Sequence, residues 1–105
     1  MDKKQLVEQI KTVTDPNHKG KYYALMLFET EIERGVSTNP NKWVNTGNAI
    51  FTNGARALNA YANTPCPASQ LIDGKNPEEL AENMLDMISN YESPEWLDEN
   101  LYPYI

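Results

Sequence analysis

The sequence predicts an all-α fold, a compact bundle of about four helices plus a short C-terminal helix. Three observations point there. Asp15-Pro16, Asn39-Pro40, Asn76-Pro77 and Ser93-Pro94 each join a helix-capping side chain to a proline suited to the first helical position. Apolar residues recur at helical spacing between these pairs. Gly35 falls where a helix would stop, Gly20 falls in a turn, and the stretch 64–75 with Pro65, Pro67 and Gly74 reads as loop. By length, residues 1–105 form a single domain able to bury its own core.

The first predicted helix covers 3–13, with Leu6, Val7, Ile10 and Val13 on one face and Lys3, Lys4, Glu8 and Lys11 on the other. Asp15-Pro16 marks a turn, because Gly20 follows before any apolar pattern resumes. The second helix covers 21–34 and ends at Gly35. Tyr22, Tyr23, Leu25, Met26, Leu27, Phe28 and Ile32 surround it, as on a central helix. A strand over 21–28 is the rival for this apolar run. Its continuation into Glu29-Thr30-Glu31-Ile32-Glu33-Arg34 favours helix.

The third and longest helix covers 40–62. Trp43, Gly47, Ile50, Gly54, Ala57 or Leu58, and Tyr61 recur at steps of four and three, a heptad-like seam. Gly47 and Gly54 on that seam imply close approach of another helix or of a ring such as Trp43 or Tyr22. Residues 64–75 read as a loop with one turn near Gln70, Leu71 and Ile72. The fourth helix, 77–91, buries Leu80, Met84, Leu85 and Ile88. A fifth, 94–101, carries Trp96, Leu97 and Leu101.

Of the 105 residues, 15 are acidic and nine are Lys or Arg, giving a net charge of −6. The acidity sits in the C-terminal part. Residues 43–105 hold Arg56 and Lys75 against Asp73, Glu78, Glu79, Glu82, Asp86, Glu92, Glu95, Asp98 and Glu99. Such a surface repels phosphate and disfavours direct binding to a nucleic-acid backbone. It attracts a partner protein with a basic surface. There is no bilayer-length apolar run, no secretory leader and no basic amphipathic face, so no membrane partner is expected. The lone Cys66 fits a reducing, cytoplasmic setting. With His18 the only histidine and no glycine-rich phosphate loop, the pattern calls for no cofactor, no metal and no catalytic residue.

Two surfaces stand out. Tyr91, Trp96, Tyr102 and Tyr104 are interleaved with Glu95, Asp98 and Glu99, which pairs aromatic anchors with carboxylates that steer a cation. The second is a polar stripe on the helix predicted over 40–62. Asn45, Asn48, Thr52, Arg56 and Asn59 extend it at helical steps between Asn41 and Asn63, each amide offering donors and acceptors. The expected function is that of a small non-enzymatic binding protein occupying a partner's surface. An inhibitor or adaptor fits, including the anti-host or anti-defence proteins that mobile elements and viruses encode. A second expectation is a homo-oligomer built on the 40–62 helix, with a small ligand held between amide stripes.

An enzyme-like pattern gives a further alternative. Glu78-Glu79-Leu80-Ala81-Glu82 reads E-E-x-x-E, and Glu95-Trp96-Leu97-Asp98 reads E-x-x-D. This resembles the split acidic motif of the all-α nucleoside triphosphate pyrophosphohydrolases, the MazG-like and dimeric dUTPase-like family. The resemblance covers about a quarter of the chain. It implies Glu79, Glu82, Glu95 and Asp98 as Mg²⁺ ligands, in keeping with the preference of hard cations for carboxylate oxygen. Both half-motifs here follow directly on a helix-starting proline.

Overall fold

The computed structural model of the chain describes residues 2–35, 43–65, 68–90 and 101–104. Its elements run α1 (Lys3–Val13), β1 (Tyr22–Thr30), α2 (Glu31–Arg34), β2 (Trp43–Phe51), α3 (Gly54–Ala62), β3 (Gln70–Gly74), α4 (Pro77–Ser89) and β4 (Leu101–Tyr104). This is an α+β fold. The expected all-α helical bundle is overturned by a four-stranded sheet of order β3-β1-β2-β4. β1 pairs antiparallel with both β2 and β3, and β4 joins β2 in parallel.

Two of the expected helices are present. α1 opens on a capping box: Gln5 N–H donates to Asp2 Oδ1 at 2.8 Å, and Asp2 N–H donates to Gln5 Oε1 at 3.0 Å. α4 opens on Asn76, whose Oδ1 accepts from Glu79 N–H at 2.8 Å, with Pro77 at the first position. Asp15 closes a turn, accepting from Asn17 N–H through its carboxylate and from His18 N–H through its carbonyl.

The other expectations fail for definable reasons. Residues 22–30 form the central strand, not a helix. β1 is apolar all round because helices cover both of its faces, and such a run carries no period to separate strand from helix. Tyr22, Ala24, Met26 and Phe28 pack toward α1 and α4, while Tyr23, Leu25 and Leu27 pack toward α3. The 40–62 helix divides into a strand and a shorter helix at Asn53, whose Oδ1 accepts from Ala55 and Arg56 N–H at 3.0 and 3.1 Å. Residues 70–74, read as loop, are strand β3. Leu101, assigned to a fifth helix, begins β4, and the rest of that predicted helix lies outside the described residues.

The connections explain the layering. β2 and β3 point the same way, as do β3 and β4. The crossover through α3 moves across the sheet in one direction, and the crossover through α4 moves back in the other. Crossovers of one hand that travel in opposite directions must place their helices on opposite faces. Accordingly α1 and α4 cover a first face, burying Leu6, Ile10, Met26, Phe28, Leu80 and Met84, and among the described residues α3 lies alone on the second. On the first face β3 and α4 touch closely: a Cβ on Gly74 would stand 2.7 Å from the Leu80 Cα.

Candidate functional site

The described residues cover the second face of the sheet only in part. α3 has nine residues, and its inward positions are small. Ala57 is fully buried, and Gly54 lets the Tyr23 hydroxyl approach to 2.8 Å from where a Cβ would be. The predicted close approach of Gly54 to a ring is thus made by Tyr23, within the same chain. Beyond the Ala60 and Thr64 side of α3, a cleft of about 410 Å³ opens over Leu25, Leu27, Gly47, Ala49 and Phe51. Thr46 and Asn48 also line it, and none of the described lining residues is ionisable. On the same side of the sheet, Leu58 is 61% exposed and Tyr61 41%.

The predicted amide stripe does not form one surface. It assumed a helix through 40–62, and the strand–helix break sends its members in different directions. Asn45 and Asn48 lie on β2, 3% and 2% exposed, opposite Phe28 and Met26 on the first face. They face the same way despite being three apart because the ladder skips Thr46 between Gly47 and Asn45. Across that bulge their amides exchange hydrogen bonds: Asn45 Nδ2 donates to Asn48 Oδ1 at 3.1 Å, and Asn48 Nδ2 to Asn45 Oδ1 at 2.8 Å. Asn45 Nδ2 also donates to the Leu27 carbonyl at 3.2 Å. Thr52 is half-buried at the end of β2. Arg56 and Asn59 are exposed on α3, and Asn63 Nδ2 donates to the Asn59 carbonyl at 2.8 Å. The helix on which a homo-oligomer was expected is not present in that form, and Asn41 lies outside the described residues.

Of the C-terminal candidates, Tyr91, Glu95, Trp96, Asp98 and Glu99 lie outside the described residues. Tyr102 and Tyr104 are on β4, in register with Ala49 and Phe51 of β2. The acidic half-motif on α4 is spent on structure. Glu79 Oε2 accepts from Lys75 N–H at 2.9 Å, in the first turn of α4. Glu78 and Glu82 pair with Lys11 and Lys3 of α1 at 3.4 and 3.7 Å. The fold implied by the pyrophosphohydrolase resemblance, acidic residues on facing helices of an all-α protein, is not the fold observed. No group of three or more His, Cys, Asp or Glu side chains among the described residues is placed to hold a metal ion.

These pairs also redistribute the charge. Lys3, Lys11 and Lys21 stand against Glu82, Glu78 and Asp73, each side chain about half exposed, so each pair contributes little to stability. Their effect is to pair the lysine-bearing N-terminal part with the acidic α4 and β3. Glu92, Glu95, Asp98 and Glu99 fall within 91–100, which has no lysine or arginine. No helix among the described residues is long and apolar enough to cross a membrane. No family model, curated protein or solved structure matches the chain.

One residue of β2 marks the cleft already in the sequence. A glycine inside a strand marks a bulge or a close approach, and Gly47 follows the bulged Thr46 and floors the cleft.

Proposed function

We propose that this protein is a small acidic binding protein that acts without catalysis, as an inhibitor or adaptor, by occupying a basic surface of a partner protein. The observation that carries the proposal is the part-covered second face. An apolar cleft on one flank of α3, together with Leu58 and Tyr61 exposed on that helix, offers apolar surface of the kind that interaction sites use. The described lining residues offer shape and apolar contact, and none of them is ionisable. The acid-rich stretch 91–100 adds long-range attraction for a basic partner.

The test is retention of a partner from extracts of the source cell, or of its host, on the immobilised protein. The partner is then identified and purified for titration. Leu58→Ser/Tyr61→Ser is expected to weaken that complex by about tenfold, as loss of a central anchor does. Trp96→Ala tests the contribution of the acidic aromatic segment, and rising salt is expected to weaken binding further. No partner held by the wild-type protein, or equal affinity for the folded Leu58/Tyr61 variant, overturns the proposal.

A further inference from the structure

Gly47 occupies mid-strand β2, opposite Leu27 of β1. Glycine weakens a strand interior, through backbone entropy and the missing side chain. Nothing in the local structure demands it. Among the described residues only Gly35 has a positive φ, so the bulge beside Gly47 does not require glycine's conformational range. Among the described residues, a Cβ at position 47 would meet only Leu27 Cδ1, at 3.6 Å, an ordinary contact. Gly54 and Gly74 differ, since a side chain there would collide with a tyrosine hydroxyl and with helix backbone. The missing side chain at 47 has one visible effect: it keeps the floor of the cleft open.

Two described features bring negative potential near that cleft. α3 points its C-terminal end at it, with Ala60 and Thr64 in the wall. The carbonyls of a last helical turn carry partial negative charge, and the last turn of α3 holds no basic residue to offset it. Side chains alternate along β1, so Glu29 faces the same side as Leu27, about 7 Å further along the strand. Its register partner Val44 continues the apolar floor on β2.

We infer that the slot over Gly47 takes an aliphatic or aromatic side chain of the partner protein, from a segment in which the next residue is Lys or Arg. The apolar side chain stands on Gly47 between Leu27, Ala49 and Ala60. The cation lies between the C-terminal end of α3 and Glu29. The inference rests on the binding function proposed above and specifies the chemistry that the site reads.

The experiment is NMR titration of the isotopically labelled full chain with acetyl-Leu-Lys-amide and, separately, acetyl-Leu-Glu-amide. The basic peptide is expected to shift the signals of Leu25, Leu27, Gly47 and Ala49, and to bind about twofold to fivefold more tightly than the acidic one, the range of a partly exposed charge interaction. Glu29→Gln should reduce that preference. Gly47→Val is expected to keep or raise the melting temperature and to abolish the shifts. Gly47→Ala, one methyl group larger than glycine, serves if the valine variant does not fold, and should weaken them. Equal shifts with both peptides, shifts unchanged in a folded position-47 variant, or no response at the slot overturns the inference. If the partner identified through Leu58 and Tyr61 binds the folded Gly47→Val protein as tightly as wild type, the slot assignment fails while the proposed function stands.

Discussion

The two faces of the sheet use opposite strategies. The first is covered by two helices of 11 and 13 residues that drive long side chains against β1, leaving Leu6, Ile10, Met26, Leu80 and Met84 with no exposed surface. Its two most buried polar side chains, Asn45 and Asn48, bond to each other. The second is covered by one helix of nine residues whose inward positions are glycine and alanine. Small residues let α3 sit close to the sheet but give it no side chains to spread sideways, and the cleft is the result. The first face buries the larger core, and the described residues of the second leave apolar area accessible.

Substitutions that test this contrast rank by the face they strike. Gly74→Ala should be the most damaging, because the new methyl group meets the backbone of α4 rather than a flexible side chain. A loss of about 3 kcal/mol is expected, measured by chemical denaturation. A loss below about 1 kcal/mol would mean that α4 can slide and that the first face is less rigid than described.

Asn48→Ala comes next. It removes the amide partner of the buried Asn45, which keeps its bond to the Leu27 carbonyl, and should cost about 1–3 kcal/mol. The double variant Asn45→Leu/Asn48→Leu should recover part of that loss, since neither amide is then left without the other, while the Leu27 carbonyl loses its Asn45 donor. Additive losses in a double-mutant cycle would show that the two amides act independently. The smallest effect belongs to the second face. Asn53→Ala removes the cap of α3 and should cost about 1 kcal/mol. A loss as large as that of Gly74→Ala would break the contrast, by showing that α3 carries as much of the stability as α4.

The elements legible in the sequence are those with one wet face. Leu6, Val7 and Ile10 reveal α1, and Leu80, Met84 and Ile88 reveal α4, because solvent on the far side forces the remaining positions to be polar. β1 has no wet face, and its length and Gly20 boundary were the cues for a strand. β2 hid differently. The bulge at Thr46 destroys the alternation that would announce a strand, and Trp43, Gly47, Ile50 and Gly54 then mimic a helical seam across the real boundary. The Asn53-Gly54 pair was the available punctuation, and it sits at the break. The amide stripe was legible only as residue types. Which amides are buried depends on the bulge, and the bulge is set by pairing with β1, a long-range property.

The register of the sheet also bears on how the chain assembles. β1 finds its partners at 43–51 and 70–74, and β2 finds its outer neighbour at 101–104. No strand is joined to its neighbour by a tight turn, so every pairing closes a substantial loop before its contacts repay the lost entropy. Such a topology places folding in the slower, non-local regime, with α1 and α4 free to flicker as isolated helices before the sheet unites them. Until β1 is paired on both sides, its seven-residue apolar run from Tyr22 to Phe28 is the most adhesive stretch in the chain, and chaperone binding or aggregation of nascent protein would begin there.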